Sequence, residues 1–282
     1  MPEAHYLIEP DQLEAIHDNS NIVIVDCCKP GQYRQAHIPG ALHIDYASMV
    51  KNEKPVMGLL PDDENFSGLL SSLGIHRRSL IVAYDDEGGG CAARFVWTLQ
   101  VYGHETAVIL NGGLHSWANE GHPLSNETPA AQLSSHYHVN KTHHHTASRA
   151  YIQTHLEDKN ICLLDARSPA EYSGEKKLAE RGGHIPGAIN FEWTAAMNQQ
   201  NNLRRLPADI LQAQLDKRGI TKDREIICYC QSHHRSAYSW LILKSLGYKN
   251  VLGYPGSWSE WGNRSDTLVE KGGDPVISPI SA

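Results

Sequence analysis

A cysteine placed to react draws the eye first. Cys230 follows the short apolar run Glu225-Ile226-Ile227-Cys228-Tyr229 and precedes Gln231-Ser232-His233-His234-Arg235-Ser236, after which a helical pattern runs to Gly247. The order predicted is strand, reactive loop, helix. In a parallel α/β sheet, ligands bind at the carboxyl ends of strands, and the first turn of the next helix offers unpaired N–H groups to an anion. A free thiol has a pKa near 8.5, so about 3% is thiolate at neutral pH; a shift to about 6.5 makes about three quarters thiolate, a change worth about 2.7 kcal/mol. Inward-turned amides, the positive helix end and Arg235 are suited to supply it. The competing reading is an ordinary buried strand-end cysteine, which fits Cys228. Against it for Cys230, no apolar residue follows before Ala237.

The whole chain bounds what such a site serves. Its 282 residues suggest two domains, and the formal net charge of −7, with basic residues scattered, argues against a nucleic-acid surface. No secretory leader is visible in Met1-Pro2-Glu3-Ala4-His5, and no apolar run reaches the about 18 residues of a membrane span. Six cysteines without Cys-x-x-Cys spacing form neither a disulfide framework nor a metal site. A cytoplasmic protein without cofactor, metal, membrane or nucleic-acid partner is expected.

The elements that must hold the loop are repeated. Asp26 and Tyr33 match Asp165 and Tyr172, and His37-Ile38-Pro39-Gly40-Ala41 recurs as His184-Ile185-Pro186-Gly187-Ala188. Leu80 to Tyr84 matches Glu225 to Tyr229, and Gly113 to Trp117 matches Gly256 to Trp261. The chain is a tandem duplication. In the first half, strands are expected at Ile22 to Val25, Leu80 to Tyr84 and Ala107 to Leu110. Helices are expected near Asp11 to His17, Phe66 to Leu73 and Ala92 to Tyr102. The alternation predicts α/β domains, each a parallel sheet with helices on both faces. The second half repeats it with an insertion around Glu175 to Arg181. The division expected is 1–124 for the first domain, 125–149 for a linker and 150–282 for the second. The linker's His143-His144-His145 reads as solvated chain rather than a metal site.

The two copies differ at the strand end. Asp85 stands where Cys230 stands, followed by the acidic, glycine-rich Asp86-Glu87-Gly88-Gly89-Gly90-Cys91. An aspartate carries no sulfur, and this loop is expected to repel rather than cradle an anion. The first domain reads as a catalytically silent partner that walls one side of the cleft.

The repeated Asp, Tyr and His-Ile-Pro-Gly-Ala pattern, the Cys230 loop and the closing Gly256-Ser257-Trp258-Ser259-Glu260-Trp261-Gly262 resemble the tandem-domain rhodaneses, a sulfurtransferase family. Asp165 to Gly174 and the Cys230 loop look like bacterial thiosulfate sulfurtransferases of the Azotobacter type. The resemblance implies two rhodanese-like domains, an inactive first one and a persulfide at Cys230. It further implies a small anionic sulfur donor, thiosulfate before 3-mercaptopyruvate, and cyanide, a thiol or a sulfur-accepting protein as acceptor. The loop departs from the Cys-Arg-Lys-Gly-Val-Thr of mammalian rhodaneses and the Cys-Gly-Ser-Gly-Val-Thr of mercaptopyruvate sulfurtransferases. Ser232 stands where the first group has its lysine, and Glu171 where a substrate-binding arginine is found.

With Cys230 as nucleophile, amides from Gln231 to Arg235 would stabilise anionic sulfur, including those of Ser232, His233 and His234. Arg235 either holds the loop through nearby carbonyls or contacts sulfite oxygens. His233 and His234 either tune the loop field, contact substrate or are exposed without a fixed role. Asp165 and Arg167 are expected to form a structural polar pair. Trp193 and Trp258 are candidates for lining the cleft, against the commoner fate of tryptophan in a core. Two other classes share a reactive cysteine. Dual-specificity phosphatases use Cys-x5-Arg, one residue longer than the spacing of Cys230 to Arg235. A persulfide carrier or redox-sensing module would share the chemistry and lack turnover.

Overall fold

The computed structural model describes residues 6–129, 136–142 and 144–273. His143 lies outside the described residues. Two compact units form, and neither is continuous in sequence. One comprises residues 1–51, 60–145 and 197–206; the other comprises 52–59, 146–196 and 207–282.

In the first unit a five-stranded sheet runs in the order Leu7–Ile8, Ala107–Leu110, Leu80–Tyr84, Ile22–Asp26, Leu42–His43, with every pair parallel. The second unit repeats the order over four strands, Val251–Gly253, Glu225–Tyr229, Ile161–Asp165 and Ile189–Asn190, again all parallel. The fifth position is marked there by a parallel bridge between Thr146 and Gly253. Strands buried on both faces need continuous apolar runs rather than alternation, and Leu80–Tyr84 and Glu225–Tyr229 supply them. The helices Gly90–Val101 and Arg235–Ser245 follow these central strands and are buried along most of their length.

The repeated motif acts as a bracket in both units. Tyr33 donates its hydroxyl to the Ala41 carbonyl at 2.9 Å, and Tyr172 does the same to Ala188 at 2.7 Å. His37 and His184 each bond through Nδ1 to the tyrosine carbonyl, at 2.7 and 2.9 Å, and stack on its ring. The Ile38 and Ile185 amides donate to the strand-end hydroxyls of Tyr84 and Tyr229. Beneath Tyr84, Asp26 accepts its hydroxyl at 2.5 Å. The equivalent Asp165 forms the expected buried pair with Arg167, Nη2 to Oδ2 being 2.5 Å, and the guanidinium lies 4.5 Å from the Trp258 ring centre.

Of the strands expected in the first half, Leu80–Tyr84 and Ala107–Leu110 form as read, and Ile22–Asp26 extends one residue further. The helices are Pro10–Ile16, Asp63–Ser72 and Gly90–Val101, each shifted by one to three residues. The two-residue edge strands and the short ribbons at 51–59 and 197–206 have no periodic signal and were not expected.

Candidate active site

Glu225–Tyr229 lies between two parallel neighbours and delivers Cys230 to the carboxyl edge of the sheet. The chain turns through Gln231 to His234 and enters the helix at Arg235. From outside, Trp258 N–H bonds the Cys230 carbonyl and Ser259 N–H bonds the Gln231 carbonyl, both at 2.9 Å. With carbonyls tied outward, loop amides are left to turn inward, and those of Ser232 and Ser236 donate to the Cys230 sulfur. His233 takes φ +55, a left-handed conformation uncommon for a residue with a side chain, which lets the tight loop close.

The thiol is only 1% exposed. Burial opposes ionisation, yet the Arg235 charge, the Ser236 hydroxyl and the amides of Ser236 and Ser232 outweigh it and hold the Cys230 pKa below that of an ordinary thiol. The other five cysteines go the opposite way. Burial drives Cys27, Cys28 and Cys228 far up and Cys162 to about 11. In Cys91, burial and nearby carboxylates exceed the pull of its contact with Cys27. All six are free.

Arg235 does not bond loop carbonyls as one reading expected. Its guanidinium forks onto Glu171, Nη1 to Oε2 at 2.7 Å and Nη2 to Oε1 at 2.8 Å. Such bidentate pairs fix the planar group as well as balance it. Glu171 is also locked at the start of helix Pro169–Ser173 by a capping box with Ser168. Burial works against its carboxylate, but Arg235 and Ser168 prevail and bring its pKa down to about 2. Glu171 is thus the holder of the loop's cation.

The remaining candidates separate. His233 is fully buried, not exposed, and its Nδ1 lies 2.8 Å from the Ser236 hydroxyl that serves the sulfur. His234 is half-buried, 6.1 Å between ring centres from Trp193, which meets Tyr238 edge-on. Trp193 therefore sits beside the loop. Trp258 does not line a cleft: it is 1% exposed within the core around Tyr172, Ile185 and Tyr229, with its indole N–H on the Arg181 carbonyl. Its main chain rather than its ring serves the loop. Gln231 donates its side-chain amide to the Leu178 carbonyl in the insertion at 3.0 Å. Residues that the motif did not single out are Ser236, Ser257, whose hydroxyl receives the Cys230 amide at 3.3 Å, and the segment Met57-Gly58.

The first-unit loop corrects an expectation. It does cradle an anion, its own Asp85: the carboxylate accepts from the amides of Gly89 at 2.7 Å, Ala92 at 2.9 Å and Glu87 at 3.1 Å. Glycines allow the close turn; Gly88 and Gly89 take φ near +96 and +97. Burial and Glu87 raise the Asp85 pKa to about 6 against the pull of these amides. No group of three or more His, Cys, Asp or Glu residues fit to hold a metal occurs among the described residues. No helix among them is long and apolar enough to cross a membrane.

A buried thiol whose pKa is lowered by one arginine, a serine hydroxyl and two amides, on a duplicated parallel α/β unit, is the pattern of a known family. The model of the rhodanese-like domain matches residues 9–120 and 148–264, so the chain belongs to the rhodanese-like family. A thiosulfate sulfurtransferase of Azotobacter vinelandii is 46% identical over 269 residues, spanning 94% of this chain and 96% of the relative. A sulfur carrier protein of Thermus thermophilus is 36% identical over 255 residues, 85% of this chain and 87% of the relative. Among solved structures, SseA of Escherichia coli, described with the 3-mercaptopyruvate sulfotransferases, superposes with a TM-score of 0.80 at 27% identity, covering 90% of this chain and 99% of that one. The chain is an enzyme of the sulfurtransferase type.

Proposed function

We propose that the enzyme moves the outer sulfur of thiosulfate to a thiophilic acceptor through a persulfide on Cys230. The observation that carries this reading is the environment of that one sulfur: among six cysteines it alone has its pKa drawn below that of an ordinary thiol, by Arg235, Ser236 and the loop amides. The thiolate attacks the outer sulfur, forming an S–S bond as the sulfur–sulfur bond of thiosulfate breaks and sulfite leaves with the electron pair. Cyanide or a thiolate then takes the outer sulfur, and the Cys230 thiolate returns. The Ser236 hydroxyl and the loop amides hold the anionic sulfur, Arg235 supplies the field, and Asp165 with Arg167 holds the strand end.

The first repeat, residues 1–124, is silent in this scheme because Asp85 fills its own cradle; the active repeat, 150–282, follows the connection 125–149 and takes residues 52–59 into its compact unit. Six unpaired thiols suit a reducing cytoplasm. Thiosulfate is favoured over 3-mercaptopyruvate because the 46% identical relative is a thiosulfate sulfurtransferase, whereas the structure described with the 3-mercaptopyruvate enzymes is 27% identical. The Thermus relative supports a second reading, delivery of the sulfur to a protein, which differs in its acceptor and turnover.

Intact mass of the reduced protein after brief exposure to thiosulfate tests the proposal, with Cys230→Ala as control. A gain of one sulfur atom in the unsubstituted protein only, lost to cyanide as thiocyanate over repeated cycles, is expected. A gain only with mercaptopyruvate changes the donor; a persulfide inert to cyanide and discharged by one protein thiol makes it a carrier. No gain with either donor removes the reading.

A further inference from the structure

The unit that carries Cys230 is completed by residues 52–59, which come from the other half of the chain. Their role is visible in the peptide planes of the loop. The unit joining Gln231 to Ser232 points its N–H at the Cys230 sulfur and its carbonyl at Ser259 N–H, 2.9 Å away. The Ser259 hydroxyl in turn accepts the Met57 amide at 2.9 Å and donates to the Gly256 carbonyl at 2.8 Å. The next carbonyl, that of Ser232, lies against Gly58. A Cβ placed on Gly58 would stand 2.8 Å from the Ser232 carbonyl carbon and closer still to its oxygen, so main chain meets main chain with no room for a methyl group. Gly58 has φ +75 and gives its N–H to Asn52 Oδ1 at 2.9 Å, which fixes the turn that makes this approach.

A peptide plane is rigid, so fixing its oxygen fixes the direction of its N–H. We infer that Gly58, with Ser259, is a positioning residue for the Cys230 anion cradle: the segment 52–59 backs two successive loop peptides, the first of which carries the Ser232 amide, and so holds the loop in the shape that serves the sulfur. The other unit contains the reciprocal contact. Gly88, the counterpart of His233, is met by Met197 from the segment 197–206, whose Sδ would lie 2.7 Å from a Cβ there. The support thus belongs to the architecture, and only in the Cys230 unit does it face a thiol.

The inference rests on the Cys230 reading, and its test uses a measurement independent of any donor. The pH dependence of Cys230 alkylation by iodoacetamide is followed in the full-length chain, together with thiosulfate-dependent mass gain. In Gly58→Ala the alkylation midpoint is expected to move up by about half a pH unit or more, and persulfide formation at neutral pH to slow about threefold or more. Gly187→Ala is the control for backbone strain alone, since Gly187 has φ +72 in the same unit with nothing within 4 Å of an added Cβ. It should leave both readouts unchanged. Should Gly58→Ala fail to fold, Asn52→Ala and Ser259→Ala, which loosen the segment without a clash, should move the midpoint the same way. An unmoved midpoint in folded variants, or an equal shift in Gly187→Ala, overturns the inference. A shifted midpoint in a protein that never gains sulfur overturns instead the proposed function.

Discussion

The two strand-end loops are built on one plan and hold different anions. Each follows the central strand of its sheet, turns amides toward the residue after a buried tyrosine, and leads into a buried helix. In one, the residue is Asp85, whose carboxylate takes three amides and completes the ring permanently. In the other it is Cys230, whose pKa is drawn down chiefly by the outside charge of Arg235. A carboxylate is its own ligand; a thiolate leaves room for another atom. The comparison teaches that the cradle is the inherited part and that reactivity depends on how much of it the residue's own side chain consumes.

Exchanging the two residues should break the comparison most completely. Cys230→Asp is expected to fold and to lose all thiosulfate-dependent mass gain. Asp85→Cys, in a Cys230→Ala background, should gain no sulfur either, because Gly90 and Cys91 stand where Arg235 and Ser236 act. It should also lose about 1–3 kcal/mol in chemical denaturation, since buried amides are left without their acceptor. A mass gain in that protein would mean that the thiol alone distinguishes the loops.

Removing the cation is the next largest perturbation. Because the Cys230 pKa is depressed in the folded protein, thiolate reactivity is present above that pKa and is lost as pH falls through it. Arg235→Ala should move this edge to higher pH and slow persulfide formation at neutral pH by about 10- to 100-fold. Stopped alkylation across a pH series checks the edge. The variant also leaves Glu171 buried without its partner, so a drop in Tm should accompany the shift.

The smallest effect belongs to one hydroxyl. Ser236→Ala removes a single donor to the sulfur, a change of about 0.5–1.5 kcal/mol, or about two- to tenfold in the neutral-pH alkylation rate. Tm should change little. A loss as large as that of Arg235→Ala would show that the hydroxyl, with His233 behind it, carries the ionisation.

Much of this was legible in the residues. The duplication, the central strands and the strand, loop, helix order around Cys230 follow from apolar runs and from a motif whose tyrosine and histidine prove to bracket each strand end. Long-range pairings were less legible. Glu171 and Arg235 are 64 positions apart, and nothing local in either joins them. The burial of His233 has no apolar signature, since it follows from a left-handed turn rather than from hydrophobicity. Asp85 was misread because its charge was counted against the loop's anion affinity, when the carboxylate is itself the anion bound. The ribbon at 51–59 carries too few residues for any period to register.

That ribbon and its counterpart bear on where the chain can be divided. Here, excising residues 1–124 would strip segment 52–59 from the compact unit that holds Cys230, and excising the second copy would strip 197–206 from the unit that holds Asp85. Each compact unit thus takes a segment from the other repeat, so that neither repeat cut out of the sequence carries the whole of its own unit.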